Sequence, residues 1–271
     1  MIRVLRHLFI FLWRDLRIAM TYRVPFVLEA AEALFGTATF FYTSRFVDSP
    51  RLRSVLPQGT DYFAFALVGF IFFDYLGAAL DTFDRSLEEA RDSGTLEHLL
   101  VTQTSLPVML AGSAIYPFLA TSVRIVVYLA WAAFLFHFPL QRADWLSVVI
   151  VLLASLLAFS GLGILSASYL LLFKRGNPGK WILLGISSIV GGMLFPVDIL
   201  PAWLQALARI NPITYTLDAM RAALLAGASL HTLWRPVLIL LLFAAVLLPL
   251  STAIFAAVLR RTKTTGTLMH R

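Results

Sequence analysis

No cysteine occurs in the 271 residues, so neither disulfide nor thiolate chemistry is available to the chain. Charge is scarce as well: Asp, Glu, Lys and Arg make up 14% of the residues against 59% hydrophobic, well outside the composition of a soluble domain. The histidines, His7, His98, His137, His231 and His270, are scattered, and none pairs at a metal-ligand spacing such as H-x-x-x-H. A G-x-S-x-G nucleophile motif is missing; "FSGLG", Phe159 to Gly163, lacks the leading glycine. The P-loop is missing too, since "GNPGKW", Gly176 to Trp181, has the wrong glycine spacing and places Trp181 where Ser or Thr is needed. These gaps speak against metal chemistry, an intramembrane hydrolase and ATP hydrolysis by the chain itself. The expectation is a non-catalytic protein with no metal and no cofactor of its own.

Long apolar runs are what the chain has in quantity. A crossing helix needs about 20 mostly apolar residues for a hydrocarbon core about 30 Å thick. Six runs qualify or come close: Val24 to Val47, Asp61 to Phe83, Pro107 to Phe138, Trp145 to Phe173, Trp181 to Leu194 and Leu233 to Leu259. They are apolar all round, without the alternation of a β-barrel strand. The predicted fold is an all-α integral membrane protein with six transmembrane helices in a single domain over 1–271, without internal repeats. At the N-terminus Arg3, Arg6, Arg14, Arg17 and Arg23 interrupt the apolar residues throughout, unlike a cleavable signal peptide. Residues 1–23 are therefore expected to stay on the mature protein as an amphipathic helix in the headgroup plane.

Orientation follows from Lys and Arg in the short loops. With the N-terminus cytoplasmic, the inner segments hold Arg3, Arg6, Arg14, Arg17, Arg23, Arg85, Arg91, Lys174, Arg175, Lys180, Arg260, Arg261, Lys263 and Arg271. The outer segments hold half as many: Arg45, Arg51, Arg53, Arg142, Arg209, Arg221 and Arg235. Both termini are expected on the cytoplasmic side. The net charge of +7 then reads as orientation and contact with anionic membrane lipid, not as a nucleic-acid footprint.

Two stretches break the apolar pattern. "EEARDSGTLEHLL", Glu88 to Leu100, places Glu88, Glu89, Asp92 and Glu97 on a membrane face where basic residues are usual. After Gly94, the residues Leu96, Leu99 and Leu100 give a short helix an apolar stripe. From physics alone, either an interfacial hairpin or a peg for a cytoplasmic partner fits. The second stretch is "GGMLFPVDILPAWLQALARINPITYTLDAMRAALL", Gly191 to Leu225. The run before it, Trp181 to Leu194, rises only about 21 Å, too short for a full span. Pro196 and Pro201 break the path after Phe195, Pro201 opens a helix through Leu204, Leu207 and Ile210, and Asn211-Pro212 supplies an N-cap followed by proline at the first helical position. Short re-entrant or external helices are expected over 195–230, bordering a translocation route or forming an external cap.

Ionisable residues within spans each cost at least ~2.5 kcal/mol at the bilayer centre and must face protein or water. They are Glu29 and Glu32 in the first span, Asp74 and Asp81 at i, i+7 on one face of the second, and Arg124 in the third. Asp74 and Arg124 are expected to form a stabilising ion pair, with substrate contact as the other reading, although by depth from the cytoplasmic side Arg124 lies nearer the outer face. The 22 phenylalanines include the clusters "FFYTSRF", Phe40 to Phe46, and "FIFFDY", Phe70 to Tyr75. They read as aromatic belt and lipid-facing bulk, or as a path on which sugar rings stack.

Taken together, Glu89 with "GTLEHLLVTQTS", Gly94 to Ser105, followed by Ala111-Gly112, resembles the pattern of the ABC type-2 transporter permeases. "FKRGNP", Phe173 to Pro178, resembles that family's loop between spans four and five, and Leu194 to Gly227 its segment after span five. The likeness runs through the whole chain in order; Gln103 departs from it, standing where the family commonly has proline. What the resemblance implies is a permease without ATPase activity of its own, in the inner or plasma membrane of a bacterium. The region 84–106 would hold the coupling helix, with Glu88, Glu89, Gly94, Thr95, Leu96, Glu97, Leu99 and Leu100 docking on a separate cytoplasmic ABC ATPase. Lys174, Arg175 and Asn177 would lie near that ATPase, which would bind ATP and Mg. A second permease copy, the same chain or a paralogue, would complete the transporter. Phe195, Pro196, Pro201, Asn211 and Pro212 would be the candidates for the translocation path or its gate.

The implied activity is export of an amphipathic or hydrophobic cargo: drug, lipid or lipid-linked glycan. "NPITYTLDAMRAALL" resembles the drug and lipid branch somewhat more than the polysaccharide exporters. A gradient-driven secondary transporter using Glu29, Glu32, Asp74 and Arg124 is the reading from a different class. No inverted repeat of the kind such carriers show is visible in the chain.

Overall fold

The computed structural model describes residues 23–47, 56, 60–92, 106–173 and 177–264. Within them the regular structure is helical, in the order α1 (Arg23–Val47), α2 (Tyr62–Asp92), α3 (Leu106–Phe136), α4 (Trp145–Phe173), α5 (Pro178–Val190), α6 (Ala202–Arg209), α7 (Pro212–Leu225) and α8 (Leu230–Thr264). Single 3-10 turns at Leu140–Arg142 and Val197–Ile199 join the longer elements. Four segments are long and apolar enough to cross a membrane: Tyr62–Glu88, Leu110–Phe136, Trp145–Phe173 and Leu230–Arg261. The chain is thus a multi-pass membrane protein, all-helical among the described residues. α1 and α5, counted as spans in the sequence, are not among those four; α5 is a short apolar helix of 13 residues.

α4 occupies the centre, packed on one side by α8 and on the other by α2. Its 29 residues carry no charge, and Val151, Ala154, Ala158, Phe159, Ile164 and Ala167 are all buried. Three of its five serines find a main-chain acceptor one turn back: Ser155 donates to the Val151 carbonyl, Ser160 to Leu156 and Ser168 to Ile164, each at 2.7 Å, while Ser147 and Ser166 donate to the carboxylates of Asp144 and Asp84. Gly163 sets the distance to α2. A Cβ there would stand 2.2 Å from the Ala79 carbonyl oxygen, so only a residue without a side chain lets the two backbones meet.

α2 contributes most of the remaining core, with Leu67, Ile71, Leu76 and Leu80 fully buried. Its Tyr75 hydroxyl donates to Ser122 Oγ on α3 at 2.7 Å, and Ser122 donates onward to the Phe118 carbonyl. α1 leans on α3 through Trp131, whose Nε1 donates to the Ala30 carbonyl at 3.2 Å. Several rings expected in an aromatic belt pack on one another between these helices: Phe41 lies 5.3 Å from Phe63 and 4.6 Å from Phe136, and Phe40 lies 4.8 Å from Phe70. Others, such as Phe35 and Phe46, are exposed.

The stretch after α5 divides into two unlike helices. α6 is amphipathic and mostly exposed, with Ala208 its one buried residue. α7 instead inserts into the bundle against α2, α4 and α8, burying Ile213, Leu217, Met220 and Leu224 at helical spacing. The proline and N-cap signals read in the sequence are realised: Pro201 precedes α6, Asn211 caps α7 through the Ile213 amide, and Pro212 occupies its first turn.

Candidate functional site

Three polar constellations interrupt the apolar bundle. The first lies midway along α2 and α3, where Arg124 Nη2 meets Asp74 Oδ2 at 2.6 Å. Both helices have 31 residues and run antiparallel. Asp74 and Arg124 each stand 12 residues from one end (74 − 62 and 136 − 124) and 18 from the other (92 − 74 and 124 − 106). The depth mismatch expected from the sequence is therefore corrected: the two are level, because α2 continues past Phe83, where its apolar run stops. Each side chain is about one-third exposed, at 34% and 30%. Glu32 of α1, itself exposed, is close enough to act electrostatically on Asp74 and on Tyr128. The arrangement neutralises two charges that lipid would not accept singly.

The second constellation sits at the Asp92 end of α2. Asp84 is buried, accepts from Ser166 Oγ of α4 at 3.2 Å and accepts from Asn177 Nδ2 at 2.9 Å. Asn177 also donates to Ser166 Oγ at 2.6 Å, while its Oδ1 accepts from the Lys180 amide at 3.0 Å and so caps α5. One turn back along α2, Asp81 is paired with the Lys180 ammonium and lies 3.5 Å from Arg85. Asp74 and Asp81 thus share a face of α2, as their spacing implies, but serve different partners. Lys180, the residue of the broken P-loop likeness, is engaged in this ion pair and follows a helix, not a strand.

The third joins the 191–195 turn to the opposite end of α2. Arg221 on α7, 5% exposed, donates to the Phe65 carbonyl from Nε at 3.2 Å and from Nη2 at 3.1 Å. The same Nη2 reaches the Met193 carbonyl at 2.9 Å, and the guanidinium lies 3.4 Å from the centre of the Phe65 ring. Gly69 makes room: a Cβ there would fall 2.0 Å from the Met193 oxygen and 2.6 Å from Arg221 Nη2. Nearby, Asn211 Nδ2 donates to Ser187 Oγ at 2.9 Å, tying the start of α7 to the end of α5.

The residues singled out in the sequence fall as follows. Glu88 is exposed on the last turns of α2, and Glu89 is on the same helix. Gly94, Thr95, Leu96, Glu97, Leu99 and Leu100 lie outside the described residues, as do Lys174 and Arg175. Asn177 belongs to the second constellation. Around the third, Pro196 and Pro212 are buried, Phe195 and Asn211 half-buried and Pro201 exposed. Glu29 is exposed on α1. Sequence reasoning missed the roles of Asp84, Ser166, Lys180 and Arg221. Asn177-Pro178 repeats the Asn-Pro capping signature recognised at Asn211-Pro212, and it was the available signal for the start of α5.

A family model described as ABC-2 type transporter matches residues 6–225, most of the chain. The chain belongs to the ABC-2 type transporter family. Similar curated proteins include the Probable multidrug ABC transporter permease YbhR of Escherichia coli K12, 26% identical over 160 residues, which are 59% of this ABC-2 chain and 43% of YbhR. The Inner membrane transport permease YadH of the same strain is 26% identical over 167 residues, or 60% of this chain and 63% of YadH. The matched part thus spans less than half of YbhR and less than two-thirds of YadH. Both relatives are named as transport permeases, a non-catalytic role in membrane passage.

Proposed function

We propose that the chain is the membrane-spanning permease of an ATP-driven exporter in a bacterial inner membrane, powered by a separate cytoplasmic ABC ATPase. The observation that carries this reading is the length of α2 in a chain of the ABC-2 family. Its 31 residues rise about 46 Å, some 16 Å more than the hydrocarbon core. The surplus bears Glu88, Glu89 and Asp92 and leads into the leucine-striped stretch 93–105, which adds Glu97. On this reading Glu88, Glu89, Gly94, Thr95, Leu96, Glu97, Leu99 and Leu100 dock on the ATPase, the leucines as buried anchor and the carboxylates as a rim that sets register. Lys174, Arg175 and Asn177 lie beside that contact.

The working unit has two permeases and two ATPases, each permease making six crossings within one membrane domain over 1–271, with both termini cytoplasmic. α1 and the α5–α7 column complete the six. ATP with Mg is bound by the partner; this chain holds no cofactor. Membrane lipids are its other contacts, and nucleic acid is not a partner. ATP binding closes the two ATPases and displaces the docked segments, and the helices rearrange so that cargo leaves outward past Phe195, Pro196, Pro201, Asn211 and Pro212. The cargo class is a hydrophobic or amphipathic drug or lipid, in keeping with the multidrug designation of YbhR; a lipid-linked glycan is the second choice. Pairing of Asp74 with Arg124 favours this over a gradient-driven carrier using Glu29, Glu32, Asp74 and Arg124, because it engages two of those four residues with each other.

Copurification tests the reading. The tagged chain, expressed with the ATPase encoded beside it, is expected to bring that ATPase along in a two-to-two assembly. Leu96→Asp should insert normally and lose the ATPase. Undiminished copurification and transport by that variant would refute the docking assignment.

A further inference from the structure

The inner constellation has a regular geometry. Asp81 and Asp84 are three residues apart on α2, and their partners Lys180 and Asn177 are three residues apart at the start of α5, in reverse order. The pairs form two rungs of an antiparallel ladder, one ionic and one hydrogen-bonded, with Ser166 of α4 bracing the lower rung. The other end of α5 is held as well. It runs into the turn whose Met193 carbonyl accepts from Arg221, and Arg221 also binds the Phe65 carbonyl on α2. α2 and the α5 column are therefore joined at both ends, 16 residues apart along α2 (81 − 65).

We propose that the Asp81–Lys180 and Asp84–Asn177 ladder makes α2 and α5 one rigid body in the transport cycle, so that displacement of α2 by the ATPase is delivered directly to α5. This rests on the docking reading above. Asp81, Asp84, Asn177 and Lys180 are then positioning residues for energy transfer; none needs to touch cargo. The physical reason is that neither partner can be withdrawn cheaply. Breaking the upper rung strands the Lys180 ammonium at the edge of the hydrocarbon and leaves Asp81 only its 3.5 Å contact with Arg85. Breaking the lower leaves the buried Asp84 with one acceptor site unfilled and uncaps α5. A weaker contact could slip as α2 moves; this one holds the register.

The absence of cysteine permits a clean test. Spin labels are attached at Asp61→Cys, directly before α2, and Ile182→Cys on α5, both exposed, in permease diluted with an excess of unlabelled cysteine-free permease so that each permease–ATPase complex in lipid nanodiscs carries one labelled copy. Pulsed electron spin resonance compares the distance distribution without nucleotide and after trapping with ATP and vanadate. The expected result is one narrow peak at the same distance in both states. With Lys180→Met added, the ATPase should remain bound and hydrolysing, while the peak broadens or moves on trapping by roughly 1–5 Å, the range of helix shifts in switching proteins. Exchanging the charges, Asp81→Lys with Lys180→Asp, should restore the single peak. A distance that changes on trapping in the unmodified ladder overturns the proposal, whether or not any variant folds. A Lys180→Met sample as narrow and invariant as the parent also overturns it. Loss of the ATPase from the parent complex is a different failure, that of the docking reading.

Discussion

Arg124 and Asp74 show how a single charge is accommodated in this bundle. Each is about one-third exposed, and together they form a close ion pair at one depth, 12 residues from the N-terminal end of α2 and 12 from the C-terminal end of α3. Arg124→Ala removes a charge-assisted contact and leaves Asp74 facing Glu32. A loss of about 1–3 kcal/mol is expected, the lower part of the range being apt for a pair partly open to its surroundings. Thermal unfolding in detergent, followed by tryptophan fluorescence, should show a lower Tm for Arg124→Ala, with Arg124→Lys only partly recovered because an ammonium cannot reproduce the guanidinium fork. Unchanged stability accompanied by lost transport would instead make Arg124 a cargo contact. This pair was legible in the sequence, because opposite charges on consecutive spans have few other places to go. The Asp81–Lys180 pair was not: 99 residues separate its members, and Lys180 looked like one more cytoplasmic cation.

At the scale of elements, α7 was readable and its anchor was not. Asn211-Pro212 announced the start of the helix, but the segment was expected as a short re-entrant or external helix, and its insertion into the bundle through Ile213, Leu217, Met220 and Leu224 is shown by the structure. Arg221 sits on the same helix and passed for an ordinary outer arginine, since sequence does not show that two main-chain carbonyls, Phe65 and Met193, stand within its reach. The turn at 191–195 owes its backbone satisfaction partly to that side chain. Arg221→Lys replaces a fork by a point charge and forfeits at least one bond worth about 1.5–3 kcal/mol. Amide hydrogen exchange across 191–201 is expected to quicken by roughly tenfold or more, while α4 is unaffected. Equal protection in the two proteins would show that the turn is held by α7 packing alone.

For the whole molecule, helix content and membrane residence follow from hydropathy, whereas the number of crossings depends on how two atypical columns are counted. α5 is too short to span by itself, and α1 is a helix of 25 residues that is not among the four long apolar ones. Six crossings predict that Gln141→Cys and Ala206→Cys react with a membrane-impermeant maleimide in whole cells, and that Gly179→Cys reacts only after lysis. All three positions are exposed. Reaction of Ala206→Cys only after lysis would remove the α5 column from the count and leave an odd topology. The acidic stretch from Glu88 stood out in the sequence by charge alone, and the extension of α2 to Asp92 carries Glu88, Glu89 and Asp92 beyond the apolar layer.

The shortness of α5 also bears on the lipid around the protein. Thirteen residues give a column about 20 Å long, beside helices that exceed the usual hydrocarbon thickness of about 30 Å. Trp181, Ile182, Ile186 and Ile189 line its exposed side. A bilayer meeting that side must thin, tilt its chains or recruit shorter ones, at a cost of fractions of a kcal/mol per ångström of mismatch. Where Leu194, Ile199 and Trp203 beyond α5 do not extend its apolar flank, acyl chains beside it would be compressed and disordered. On the export reading proposed above, an amphipathic cargo entering from the membrane would meet that flank first, sorted by bilayer mechanics before any side chain recognises it.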